Sequence, residues 1–122
     1  MTDHPLTVTR EVDPSGAIVL AVAGDLDYSN AQRLTDAADL VAFEAGTHVV
    51  LDLSRLTYCD STGITVFVNI HRRAGAGGSR LVLAGVGADL MRVFRIVGLD
   101  QMFVFEPSGR QAADATRPRE DA

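Results

Sequence analysis

The sequence has no lysine, a single cysteine and no long hydrophobic run, and each absence narrows the range of possible proteins. The lone cysteine, Cys59, cannot form a disulfide within the chain, which is consistent with a reducing compartment. No apolar run approaches the roughly 20 residues that cross a bilayer, and the first residues lack the basic-then-apolar order of a signal peptide. We therefore expect a cytoplasmic protein without a membrane span.

Positive charge is scarce as well. All eleven basic residues are arginine, the formal net charge is −5, and no basic cluster is larger than Arg72-Arg73. This balance argues against nucleic acid as a partner. The glycines at positions 75, 77 and 78 do not form a phosphate-binding loop, since their spacing is wrong and no lysine is present. Three scattered histidines and one cysteine show no metal-ligand spacing, so we expect neither a metal nor another cofactor.

Apolar residues are plentiful enough for one folded domain. The chain has 122 residues, of which 47% are hydrophobic and 22% charged, as is typical of a globular domain with a single core. From Pro107 onward the composition becomes polar and loses its periodicity. We therefore assign residues 1–106 to one domain and residues 107–122 to a mobile C-terminal tail.

Several segments have the pattern of β-strands. Alternating apolar positions in residues 6–10 and an apolar run at 17–23 flank an Asp-Pro-Ser-Gly turn, which predicts an antiparallel hairpin. The short apolar runs at 49–53 and 80–84 are typical of buried strands, and residues 102–105 are predicted to form a last short strand. The chain from Ser54 to Tyr58 is interpreted as a turn.

Three segments show helical spacing of apolar residues. In the first, Ser29 and Gln32 match a capping box, and apolar positions recur up to Gly46, which we expect to end the helix. In the second, residues 61–74, β-branched side chains favour a strand, but spacing and length favour a helix, which we predict. The third covers residues 89–98. The strand–helix–strand order indicates a right-handed parallel crossover, so the predicted fold class is α/β, a mixed sheet of about five strands with helices packed mainly on one face.

The segment most informative about function is Tyr-Cys-Asp-Ser-Thr-Gly at residues 58–63, just before the second helix. Ser61 is one candidate to cap that helix, and Asp60 either orients Ser61 or is itself the cap. At the surface, a phosphate on Ser61 would meet the positive end of the helix dipole. The alternative is that Asp60, Ser61 and Thr62 only begin a helix, as such residues commonly do. Cys59 beside them is either a reactive thiol or a small buried hydrophobe, and no adjacent histidine favours the first.

Four features resemble the STAS domain in their order and spacing. They are Gly-Asp-Leu-Asp at residues 24–27, the strand at 49–53, Asp-Ser-Thr-Gly at 60–63 and the glycine-rich turn before Arg80. Over residues 6–106 the chain looks like the small stand-alone bacterial anti-sigma factor antagonists. The resemblance supports a helix after the motif, and it implies that the motif serine is a phosphoacceptor.

The resemblance also implies a partner-switching cycle. In such a cycle the unphosphorylated protein binds an anti-sigma factor, which is also a serine kinase of the histidine-kinase-like ATPase type, and the sigma factor is freed. The kinase phosphorylates the motif serine, here Ser61, and the complex dissociates until a serine phosphatase restores the active form. The protein would be a substrate and a binding module, not an enzyme. A hydrolytic serine is disfavoured because no Gly-x-Ser-x-Gly elbow is present.

A second function is compatible with the same family. STAS domains also serve as accessory or scaffold subunits of signalling assemblies and lipid-transport complexes, without a phospho-switch. The sequence makes no prediction of oligomeric state.

The residues implied to contact a partner cluster around the two acidic motifs. Asp25 and Asp27 have the alternative interpretation of solvated turn carboxylates, and Arg72 and Arg73 either meet an acidic partner patch or form a solvated helix end. Thr65 departs from the glycine frequent at this place in the family, and its bulk lies where a partner would approach. The implied partner-binding residues are Asp25, Asp27, Asp60, Ser61, Thr62 and Gly63.

Overall fold

The computed structural model describes residues 4–107, and within this range the chain forms a mixed six-stranded sheet and three α-helices. The predicted tail, residues 107–122, lies outside the described residues except for Pro107. In chain order the elements are β1 (Thr7–Val12), β2 (Ile18–Leu26), α1 (Ala31–Asp39), β3 (His48–Asp52), β4 (Leu56–Cys59), α2 (Ser61–Gly77), β5 (Arg80–Ala84), α3 (Ala88–Val97), a 3-10 turn (Leu99–Gln101) and β6 (Phe105–Glu106).

The sheet has the strand order β1-β2-β3-β5-β6, and β4 pairs with the far end of β2. β1 runs antiparallel to β2, with Thr7 opposite Ala23, so the predicted hairpin is confirmed. In its turn the Gly16 N–H donates to the Asp13 carbonyl at 2.8 Å, and the φ of Gly16 is +92°, a region that favours glycine. β2 and β3 are parallel, as the predicted crossover requires.

The two faces of the sheet are packed differently. Val49 and Leu51 of β3 belong to the main core, to which all three helices contribute, whereas Val50 between them faces the opposite side. No helix residue of the described range belongs to the cluster on that opposite side. The predicted fold class, with helices mainly on one face, is confirmed. The small opposite cluster consists of Val50, Val82 and Ala84 with Val19 packed against them.

The turn predicted from Ser54 to Tyr58 is wrong in its second half, because Leu56–Cys59 forms β4. Its side chains do not alternate between buried and exposed, since Thr57 and Tyr58 are both exposed. A strand this short and this irregular forms through its pairing with a neighbour, which the local sequence does not report.

β2 is longer than the predicted 17–23 and continues to Leu26. β2 pairs with β3 up to Ala21 and with β4 from Gly24 onward, and the register of the pairing with β4 shifts between Gly24 and Asp25. Irregularities of this kind bend a strand and change the direction of its side chains. The Gly-Asp-Leu-Asp motif therefore begins inside the sheet.

The beginning and the end of α1 differ from the prediction. The N-cap residue is Asn30, not Ser29, and no side-chain cap bond forms, since Asn30 Oδ1 accepts the Asp27 N–H at 2.9 Å. The predicted capping box is therefore wrong. α1 also ends well before Gly46, and Val41 is buried from the loop that follows the helix. Because Val41 is buried without being helical, the apolar spacing in the sequence continues beyond the end of α1.

The other two helix predictions are confirmed. α2 continues past residue 74 and ends at Gly78, which has a left-handed φ of +78°. α3 ends in the same way at Gly98, with a φ of +81°. The last strand is shorter than the predicted 102–105, since only Phe105–Glu106 pairs with β5.

Candidate functional site

Ser61 is the first residue of α2, and its side chain is exposed. It is not the cap of the helix. Asp60 is the N-cap residue, and its Oδ1 accepts the Gly63 N–H at 3.1 Å, while its carbonyl accepts the Ile64 N–H at 3.1 Å. The Ser61 hydroxyl forms no hydrogen bond with residues 4–107, so the fold leaves it available for chemistry.

The second carboxylate oxygen of Asp60 reaches another part of the chain. Asp60 Oδ2 accepts the backbone N–H of Tyr28 at 3.0 Å, and the Asp60 N–H donates to the Leu26 carbonyl at 3.1 Å. The loop between β2 and α1 is thus held against the N-terminus of α2. The two acidic motifs are therefore close together in the fold.

The loop between β2 and α1 is stabilised by its own side chains. Asp27 Oδ1 accepts the Ser29 N–H at 2.9 Å as well as the Ser29 hydroxyl. Asn30 Oδ1 accepts the Asp27 N–H at 2.9 Å, and Asn30 Nδ2 donates to the Asp25 carbonyl at 2.8 Å. The half-buried Asp27 carboxylate therefore shapes the loop and remains close enough to solvent to meet a partner.

Asp25 lies below the surface, with 5% of it exposed. Its Oδ1 accepts the Thr57 hydroxyl at 2.5 Å, across the pairing of β2 with β4, and His4 Nδ1 lies 4.0 Å away. In this conformation Asp25 supports the site from within and does not offer its carboxylate to a partner. The solvated-turn interpretation of Asp25 is wrong.

Gly63 and Cys59 pack against each other under the motif. A Cβ at Gly63 would lie 2.6 Å from the Cys59 sulfur and 2.8 Å from the Leu26 side chain, so only glycine fits. Burial, with a smaller contribution from the charge of Asp60, raises the pKa of Cys59 to about 12. The thiol is therefore protonated at neutral pH, which favours the buried-hydrophobe interpretation. Thr62, the second hydroxyl of the motif, is half-buried.

An apolar groove of ≈ 590 Å³ runs from Ser61 along α2 towards Leu99, between α2 and α3. Thr65 lies on its wall, exposed, and its hydroxyl donates to the Ser61 carbonyl at 3.0 Å. Arg72 lines the far part of the groove and forms no ion pair with the described residues. Arg73 behaves differently, since it pairs with Asp39 at 2.8 Å. The groove is otherwise lined by Cys59, Asp60, Ile64, Val68, Asn69, Val93 and Val97.

Two residues of this region were missed by sequence reasoning. Thr57 was assigned to a turn, and only its bond to Asp25 identifies it. Tyr28 follows Gly-Asp-Leu-Asp directly, and it is the most exposed large apolar side chain among residues 4–107. Its place next to the motif was the only available signal.

Neither a metal cluster nor a membrane-spanning helix is found in the described range. No group of three or more His, Cys, Asp or Glu residues between 4 and 107 is arranged to hold a metal ion. Within the same residues no helix is both long and apolar enough to cross a bilayer.

Comparison with known proteins identifies the fold and the family. The family model described as "Mlab, STAS domain" matches residues 10–105. The chain is 34% identical over 85 residues to the Anti-sigma-B factor antagonist of Listeria monocytogenes, covering 70% of this chain and 75% of that one. It is 30% identical over 98 residues to the Anti-sigma-F factor antagonist RsfB of Mycobacterium tuberculosis, covering 80% and 79%.

A solved structure agrees with this result. The crystal structure of an anti-sigma factor antagonist from Mycobacterium paratuberculosis superposes with a TM-score of 0.80 at 25% identity, covering 93% of this chain and 96% of that one. The family resemblance seen in the sequence is confirmed. This chain belongs to the STAS domain family.

Proposed function

We propose that this protein is an anti-sigma factor antagonist whose binding is switched by phosphorylation of Ser61. The observation that carries the proposal is the state of the Ser61 side chain, which is exposed and uncommitted to the fold because Asp60 supplies the helix cap. A kinase can modify this hydroxyl without breaking a hydrogen bond of the described chain. The relatives named as anti-sigma factor antagonists support the role.

Phosphorylation would change the charge of this surface more than its shape. A phosphoryl group adds about −1.5 to −2 charge at neutral pH. On Ser61 it would lie at the positive end of the α2 dipole, so we expect the domain to stay folded. It would also lie beside the Asp60 carboxylate and near the loop that carries Asp27, and a partner would face clustered negative charge. A loss of about 3 kcal/mol of binding free energy corresponds to a roughly hundredfold weaker complex.

The partner in this proposal is an anti-sigma factor that is also a serine kinase of the histidine-kinase-like ATPase type. It binds the unphosphorylated form and releases the sigma factor, and a serine phosphatase later returns Ser61 to the free hydroxyl. The groove between α2 and α3 begins at Ser61 and offers apolar contacts that phosphorylation leaves unchanged. This protein is then a binding module and a kinase substrate.

The test is phosphorylation by purified partners. The ATPase-type anti-sigma factors of the source organism are purified and each is incubated with this protein and ATP. We expect one of them to add a single phosphate to Ser61, located by mass spectrometry, and the complex measured by calorimetry to weaken about a hundredfold. The Ser61→Ala variant should bind the same factor, with no response to ATP.

Thr62→Ala is the matched control, because it removes the neighbouring hydroxyl and leaves Ser61 in place. It should be phosphorylated as the wild type is. Phosphate on Thr62 would contradict the assignment of Ser61. A complex that is stable whatever the state of Ser61 would instead favour the accessory or scaffold role.

A further inference from the structure

We infer that Tyr28 is an aromatic anchor for the partner, and that Asp60 is the positioning residue that holds it beside Ser61. The inference rests on the proposed function, since the partner concerned is the same kinase-type anti-sigma factor. It adds an aromatic contact residue and a positioning role to a surface for which the sequence motifs supplied only acidic residues, hydroxyl residues and a glycine.

The first observation is the exposure of Tyr28. The residue is 84% exposed, more than any other large apolar side chain among residues 4–107. An aromatic ring in this position does nothing for the core. Tyrosine is one of the residue types enriched at the energetic centres of protein interfaces, because a large ring is desolvated when the partner binds.

The second observation is that the backbone below the ring is held in place. The Tyr28 N–H donates to Asp60 Oδ2 at 3.0 Å, and the next residue, Ser29, is bonded to Asp27 through both its N–H and its hydroxyl. Asn30 closes the loop through its bonds to Asp27 and Asp25. A loop already ordered in the free protein loses less conformational entropy on binding.

The third observation is that one carboxylate joins two segments. Asp60 Oδ1 holds the first turn of α2, which carries Ser61, and Oδ2 holds Tyr28, 32 residues earlier in the chain. The Asp60 carboxylate therefore holds the backbone of Tyr28 beside the N-terminus of α2, in addition to the bond from the Asp60 N–H to the Leu26 carbonyl. Substituting Asp60 should move the anchor while leaving Ser61 chemically intact.

The experiment uses the full chain and the purified ATPase-type anti-sigma factor that phosphorylates the wild type. Affinity of the unphosphorylated protein is measured by calorimetry, and KM and kcat are measured for phosphorylation of Ser61. Tyr28→Ala should raise Kd and KM at least tenfold with kcat changed less than threefold, and Tyr28→Phe should restore both. Leu40→Ala is the matched control, since Leu40 is 73% exposed at the opposite end of α1, and it should change Kd less than twofold.

Asp60→Ser tests the positioning role. A serine at the N-cap can still accept the Gly63 N–H, but its single short hydroxyl cannot also hold Tyr28. We expect Kd and KM to rise at least fivefold, and the double variant Tyr28→Ala/Asp60→Ser to bind no more than about twofold worse than Tyr28→Ala, because both changes act on one contact.

Four results would overturn the inference. If Tyr28→Ala binds within twofold of the wild type, Tyr28 is not an anchor. If Asp60→Ser lowers only Tm, or if the two effects multiply in the double variant, Asp60 does not act through Tyr28. If none of the purified factors binds or phosphorylates the wild type, the proposed function fails and this inference with it, and that outcome is recognised before any variant is made.

Discussion

The hydroxyl of Thr57 donates a hydrogen bond of 2.5 Å to the carboxylate of Asp25, a side chain that is almost fully buried. Asp25 lies on β2 and Thr57 on β4, so this bond ties the Gly-Asp-Leu-Asp motif to the strand that leads into Ser61, the proposed phosphorylation site. Hydrogen bonds to buried charged groups contribute more to stability than ordinary ones. The site therefore has a polar support beneath its surface.

Removing the Thr57 hydroxyl should destabilise the fold. Thr57→Val keeps the shape of the side chain and takes one hydrogen-bond donor away from the Asp25 carboxylate. We expect the free energy of unfolding, measured by urea denaturation, to fall by about 2 kcal/mol. Thr57→Ser keeps the hydroxyl and should stay within about 1 kcal/mol of the wild type. If Thr57→Ser loses stability and Thr57→Val does not, the methyl group and not the hydroxyl is responsible.

Gly63 should be intolerant of any side chain. In Gly63→Ala the new Cβ would lie 2.6 Å from the Cys59 sulfur, so we expect the free energy of unfolding to fall by about 1–3 kcal/mol. Gly75→Ala, in the same helix, is the matched control. Its Cβ would meet nothing within 4 Å, and the better helix propensity of alanine should raise stability by about 0.5–1 kcal/mol. Urea denaturation of both variants measures the contrast, and equal effects would contradict the packing argument.

Cys59 should make the fold sensitive to alkaline pH. Burial raises the pKa of its thiol to about 12 from the 9.0 of the free group, so between these two values the unfolded chain releases a proton that the folded chain retains. The contribution to stability is complete below about pH 9 and is lost as the pH rises towards 12. The measurement is the free energy of unfolding against pH for the wild type and Cys59→Ala.

The Cys59→Ala variant should lose stability less steeply than the wild type over that interval. In addition, a thiol reagent at pH 8 should modify native Cys59 much more slowly than it modifies the urea-unfolded protein. Equal rates in the two states would show that the thiol is accessible in the fold.

Ser61→Asp should reproduce the phosphorylated state only in part. An aspartate carries one negative charge where a phosphoryl group carries nearly two. We expect its affinity for the anti-sigma factor to lie between those of the unmodified and the phosphorylated protein. Calorimetry measures all three, with Ser61→Ala as the neutral control. If Ser61→Asp binds as tightly as Ser61→Ala, charge is not what separates the two states.

Much of the fold was accessible from local patterns. The apolar run at 49–53 became β3, and the alternation of Val49 and Val50 between two clusters is a consequence of strand geometry alone. For residues 61–74 the β-branched side chains favoured a strand, yet their spacing predicted the helix that forms. Gly98 ended α3 where its sequence position indicated.

Other features depended on partners distant in the chain. The sequence of β4 has no alternation of apolar and polar residues, and this strand forms through its pairing with the end of β2. The predicted capping box at Ser29 does not form, because Asn30 and not Ser29 is the N-cap residue of α1. Asp25 was expected at the surface. It is buried because β2 pairs with β4, which brings Asp25 against Thr57, a residue 32 positions later in the chain.

The Asp-Ser-Thr-Gly motif shows most clearly the difference between what local sequence determines and what tertiary contacts determine. By itself the sequence determined most of the secondary structure, β4 and the end of α1 excepted, as well as the family resemblance and the place of the acidic and hydroxyl residues in the chain, because these depend on periodicity and short-range spacing. Only the tertiary structure decided that Asp60 and not Ser61 caps α2, and that Tyr28 lies beside them. Aspartate and serine are equally good caps, so the local sequence leaves the choice open, and the second bond of Asp60, from the Tyr28 N–H, exists only because folding brings segments 32 residues apart together.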